Sequence, residues 1–186
     1  ECRLAHQPGA QNGQLAFGLV NPSLGDTQVN VINPDGTGQR LVQGPTETGE
    51  DPAWFPDGIH VATGGAFDRP FGGSRIINTD DGTARDVGGQ DPNLFNPCGH
   101  PSPDGTLLLC ETFSEDGSQN GIHTIRSSDG GGLTQITFNS GGDDIPGDWS
   151  PNGKRIVFQR FDSSFNSEGL FVVNINGTGL KQITPP

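Results

Sequence analysis

Asp148-Trp149-Ser150-Pro151-Asn152-Gly153-Lys154-Arg155-Ile156-Val157-Phe158 is the stretch from which the rest of the chain is read. It spells a short strand, a tight turn at Pro-Asn-Gly and a second strand that is apolar on both faces. The same statement occurs twice more. It appears as Ala53-Trp54-Phe55-Pro56-Asp57-Gly58-Ile59-His60-Val61-Ala62 and as His100-Pro101-Ser102-Pro103-Asp104-Gly105-Thr106-Leu107-Leu108-Leu109. The turn glycines Gly58, Gly105 and Gly153 lie 47 and 48 residues apart. A second ladder of turns runs between them at Asn33-Pro34-Asp35-Gly36, Thr79-Asp80-Asp81-Gly82, Ser128-Asp129-Gly130 and Ile175-Asn176-Gly177, with glycines spaced by 46, 48 and 47. Two interleaved turns that keep one period make the chain a repeat array.

The strands between these turns complete each unit. Gly13 lies 45 residues before Gly58, so Asn12-Gly13 followed by Gln14-Leu15-Ala16-Phe17 reads as a degenerate first copy of the hairpin. Strands are expected at Gln28–Ile32 and Gln39–Val42, then at His60–Ala62, Ser74–Ile77 and Ala84–Val87. They recur at Leu107–Cys110, Gly121–Ile125 and Leu133–Thr137, and again at Arg155–Phe158, Leu170–Val173 and Leu180–Thr184. The middle strands lack clean alternation, as strands do when both faces are covered. No helical period competes. The expectation is an all-β chain, a β-propeller of about four four-stranded antiparallel blades in one domain. The blades fall approximately at 1–45, 46–90, 91–139 and 140–186. Four units are enough to close a ring, and a closed four-blade ring is preferred over an arc of a larger propeller. An arc would leave two apolar blade faces open, able to join copies head to tail.

Trp149-Ser150-Pro151-Asn152-Gly153-Lys154-Arg155-Ile156-Val157-Phe158 resembles the W-S-P-D-G-K-x-I-A-F signature of the PD40, or TolB-like (WD40-like), β-propeller repeat. Gly169–Thr184 is similar to the second half of that repeat, and the likeness covers the chain from about residue 14. The third unit departs from it, with Pro101 in place of the tryptophan, and the first lacks most of the inner-strand motif. The resemblance implies rings usually of six or seven blades, with loops before the inner strands on one rim of an axial channel.

The 22 acids against 10 bases give a net charge of −12, which repels a phosphate backbone and argues against nucleic acid. The acidic surface serves solubility or a cation or basic partner. No apolar run is long enough for a membrane span. The 30 glycines and 15 prolines sit at turns between apolar runs and punctuate the fold. There is no Met, even at position 1, and no signal-peptide pattern, so a processed, excised or incomplete start is expected.

Acids recur just before inner strands, at Glu50-Asp51 and Asp143-Asp144. On the rim that the resemblance implies, Asp51, Asp143 and Asp144 would form a cation site suited to Ca²⁺, although function is expected to require no cofactor. The competing reading is turn chemistry, an aspartate oxygen bonding local N–H groups. If Pro103-Asp104-Gly105 is a three-residue loop, facing positions sum to 208, so Cys98 and Cys110 lie opposite and can form a cross-strand disulfide. The alternative is a pair of buried thiols, with a bulge at Pro101 or Pro103 as the threat to the register. A disulfide implies an oxidising compartment, and Cys2 is left over. His6, His60, His100 and His123 match no zinc spacing, and no Gly-x-Ser-x-Gly elbow or phosphate-cradling loop occurs. Asn176-Gly177-Thr178 is a glycosylation sequon on a turn.

These residues support a non-catalytic extracytoplasmic propeller, periplasmic or secreted, acting as a protein-binding or self-assembling scaffold whose partner is a protein or a copy of itself. The alternative is a glycan- or peptide-processing propeller enzyme or accessory domain with a metal in the channel.

Overall fold

The turn at Pro151-Asn152-Gly153 joins two antiparallel strands, closed by Gly153 N donating to Ser150 O at 2.8 Å and Ser150 N to Arg155 O at 2.8 Å. The Asn152 side chain accepts from Lys154 N and Ser150 Oγ, which fixes the loop. A computed structural model describes residues 13–21, 23, 26–42, 50–64 and 72–185, and the following account concerns those residues. All of its regular structure is β.

Blade 1 has three described strands, β1 (Leu15–Asn21), β2 (Asp26–Ile32) and β3 (Arg40–Leu41), in that order. The place of an inner strand ahead of β1 falls in residues 1–12, outside the described residues, as do Cys2 and His6. Blade 2 comprises β4 (Glu50–Trp54), β5 (His60–Gly64), β6 (Gly72–Asn78) and β7 (Ala84–Val87). Blade 3 comprises β8 (Leu94–Pro101), β9 (Leu107–Ser114), β10 (Gly121–Arg126) and β11 (Thr134–Gln135). Blade 4 comprises β12 (Asp143–Trp149), β13 (Arg155–Phe161), β14 (Ser167–Asn174) and β15 (Lys181–Gln182). Each is an antiparallel meander in sequence order. Blades 2 and 3 also share a short parallel pairing, Gly72 with Asn96 and Gly73 with Pro97. Glycine is needed there: Gly73 has φ 92° and an added Cβ would lie 2.7 Å from Val87 O.

Alternate residues of each middle strand face opposite neighbours. Val29, Val31 and Val42 of blade 1 pack on Val61 and Ile77 of blade 2. Ala62, Ile76 and Val87 on the other side of blade 2 meet Leu108, Cys110 and Ile125 of blade 3. Leu109, Ile122 and Ile136 then meet Trp149, Ile156, Phe158 and Val173 of blade 4. The core is therefore three interfaces between sheets, and each isolated sheet would expose both apolar faces.

The four-blade ring expected from the sequence is not closed. Strand packing runs from β1 and β2 onto β4, from β4 and β5 onto β8, and from β8, β9 and β10 onto β12, with no comparable return from blade 4 to blade 1 among the described residues. The physical sign is exposure. Leu15 at one end and Leu170 and Ile183 at the other stay in solvent, although equivalent positions inside the array are buried.

The disulfide joins Cys98 to Cys110, with S–S 2.02 Å. Its register arises differently from the expected one. Ser102 N donates to Leu107 O, so the loop is one residue longer than a Pro-Asp-Gly loop. A bulge at His100, which has φ 48°, then takes up the extra residue and brings Cys98 opposite Cys110.

Candidate binding site beside the inner strands

Each inner strand is irregular. Register shifts fall between Glu50 and Ala53 in β4, between Gly99 and Pro101 in β8 and between Pro146 and Asp148 in β12. Bulges twist a strand locally and re-aim its side chains. Two of the three described non-glycine residues with positive φ, Asp51 (45°) and His100 (48°), stand at these shifts. Both line one cavity of about 300 Å³ between blades 2, 3 and 4. Its walls include Phe95 and Phe113, cross-strand partners whose rings stack 6.4 Å apart, together with Ile145 and Glu111.

Glu111 is the unusual group. Burial first, then a hydrogen bond and charge repulsion from Asp143, push its pKa to about 8. It lies on β9 and Asp143 on β12, so the carboxyl pair spans the contact between blades 3 and 4. Asp143 is raised too, chiefly by burial, against the lowering effect of its bond with Glu111. Near neutral pH the pair retains a shared proton. Burial lowers the pKa of His100, opposed by the nearby Asp148 and Asp51, which favours the neutral imidazole. The His100 carbonyl accepts the Trp149 indole N–H at 2.8 Å, stitching blade 3 to blade 4 beside the cavity.

Asp51, Asp143 and Asp144 each have different partners. Asp144, fully buried, accepts two bonds from Arg160, both at 2.7 Å, one from Thr137 Oγ at 2.5 Å and one from Asn139 at 3.2 Å. The Arg160 guanidinium also lies 5.5 Å from the Phe158 ring centre and 5.3 Å from that of Phe171. Asp143 is bonded to Glu111, and Asp51 lines the cavity. Among the described residues no group of three or more His, Cys, Asp or Glu is arranged for a metal ion.

The Asp-Gly turns do carry local chemistry: Asp35, Asp81 and Asn176 each accept from the backbone and hydroxyl of the threonine two residues on. Asn176, the sequon residue, is exposed on such a turn. Sequence reasoning passed over Glu111 and counted His100 among scattered histidines. For Glu111 a signal exists, an acid inside Leu107-Leu108-Leu109-Cys110-Glu111-Thr112-Phe113.

No protein-family model and no curated protein matches the sequence. Solved structures do match in fold. A putative TolB from Agrobacterium tumefaciens superimposes with a TM-score of 0.69 at 21% identity, over 89% of this chain and 59% of that one. The chain has a TolB-like propeller fold. An oligogalacturonate lyase in complex with manganese gives 0.66 at 11% identity, over 92% of this chain and 49% of the lyase. A puromycin-hydrolysing peptidase of Mycobacterium tuberculosis gives 0.59 at 12% identity, over 93% and 27%. The chain thus spans 59% or less of the length of these TolB-like and enzyme propellers.

Proposed function

We propose that this chain is a non-catalytic, extracytoplasmic propeller scaffold that binds a protein segment at its inner-strand cavity and assembles with copies of itself. The cavity carries the binding half of the reading. About 300 Å³ lies at the low end for ligand pockets and suits one or two inserted side chains. An acid at the wall, two aromatic faces and a chain charge of −12 favour a basic side chain, Lys or Arg, of the partner. The disulfide supports a periplasmic or secreted setting. No cofactor is required in this reading.

One observation favours an enzyme instead. A carboxyl pair sharing a proton, with one pKa near 8, has the form of an acid–base couple, and the fold neighbours include a lyase and a peptidase. Binding of Lys- or Arg-rich peptides, measured by fluorescence anisotropy with and without chelator, separates the two. The scaffold reading expects chelator-insensitive binding that weakens about tenfold in Asp51→Ala. Equal affinity of that variant and wild type would remove the basic-segment reading, and glycan or peptide turnover lost in Glu111→Gln would establish the enzyme.

A further inference from the structure

The repeat allows the two ends of the array to be compared with its interior, position by position. Ile156 pairs with Val173 in blade 4, as Leu108 does with Ile125, Val61 with Ile77 and Leu15 with Ile32. Ile156, Leu108 and Val61 each face the preceding blade and are at most 1% exposed, whereas Leu15 is 57% exposed. On the opposite side, Val29 and Ile122 face the following blade at 0%, whereas their counterpart Leu170 is 38% exposed. Val42, Val87 and Ile136 close the outer edge of each interface at 3–6%, and their counterpart Ile183 stands at 49%.

The turns tell the same story. Those of blades 2, 3 and 4 rest on the outer edge of the blade before them: a Cβ on Gly82 would lie 3.6 Å from Val42 O, one on Gly177 would lie 3.1 Å from Ile136 O, and Gly130 abuts Gly88. A Cβ on Gly36, the matching turn of blade 1, meets nothing within 4 Å. Arg40 of blade 1 bonds Thr79 O of blade 2, and Arg85 of blade 2 bonds Ser128 O of blade 3. Lys181 holds that position in blade 4, with no such acceptor among the described residues. In a following blade 1 the receiving turn contains Asp35, of opposite charge.

We infer that the following face of blade 4 takes the preceding face of blade 1 of a second copy of this chain, head to tail. Leu170, Val172 and Ile183 pack on Leu15, Phe17 and Ile32, and Lys181 lies against the Asp35 turn. The occupant is chosen by continuity, because this contact repeats the one that the chain already makes three times. It is a heterologous interface, so copies form a ring if the rotation closes and a filament if it does not. This inference rests on the self-assembly half of the proposed function and is independent of the cavity.

The test uses two variants, each blocked at one end, Leu170→Asp with Ile183→Asp and Leu15→Asp with Ile32→Asp, with light scattering on a sizing column. Far-ultraviolet circular dichroism and Trp fluorescence confirm that each keeps its fold, and the single substitutions Leu170→Ser and Leu15→Ser serve if one does not. The wild type is expected at a multiple of 19.5 kDa. Each blocked variant is expected at one chain, and a mixture of the two at twice that mass, because one good head remains for one good tail. A monomeric wild type would overturn the inference and leave the faces to further blades of a longer chain. Assembly that survives in either blocked variant alone would overturn it by showing a different contact. Basic-peptide binding by the blocked variants, unchanged or lost, reports separately on the cavity.

Discussion

Asp144 is fully buried and ion-paired with Arg160, so its neighbours carry the cost of keeping its carboxyl out of water. Arg160 supplies two of its four bonds and most of the compensating charge. Arg160→Ala is expected to cost about 3–5 kcal/mol in urea unfolding, because it strands a charge, whereas replacing both partners by apolar residues should cost much less. Glu111 makes a different prediction. Its native pKa of about 8 lies above the 4.5 of the free side chain, so the native state binds the extra proton. Stability from this group is complete below about pH 4.5, declines as pH rises and is lost by about pH 8. Relative to Glu111→Gln, the wild type should therefore lose thermal stability across that window, and parallel curves would contradict the shared proton. Neither site was fully legible in the sequence. Asp143-Asp144 was visible as an acidic pair, but Arg160 and Glu111 become partners only through pairing within blade 4 and across the contact between blades 3 and 4.

The hairpin of β8 and β9 shows how an element can be right for an incomplete reason. Counting from a three-residue loop placed Cys98 opposite Cys110, and the pair is bonded. The loop is longer, and the bulge at His100 restores the count. Loop length and bulge are set by backbone hydrogen bonds that composition does not display, so their cancellation was invisible. The cross-link closes a short loop, with a separation of 12 residues. Cys98→Ser with Cys110→Ser is expected to lower unfolding stability by about 2–3 kcal/mol. Reductant should do the same to the wild type and nothing to the double variant. Elements such as β7 (Ala84–Val87) coincide with their expected span, because turn glycines bound them on the near side. The outer strands β3, β11 and β15 are shorter than expected, two residues each, since only the second and third residues of each expected span pair with the neighbouring strand.

At the scale of the molecule, the period of about 47 residues becomes a succession of sheets that bury one another in turn. Patterning told which faces are apolar. It did not tell how far each sheet rotates from the last, and that rotation decides whether four sheets make a ring. The structure leaves the first and last faces apart, with the turn at Gly36 open at one end and Ile183 exposed at the other. Electron cryomicroscopy of the wild-type chain tests this most directly. Particles larger than one chain, with β14 of one copy beside β1 of the next and every sheet radiating from a common axis, are the predicted result. Single-chain particles, or sheets that do not follow one another around an axis, would contradict it.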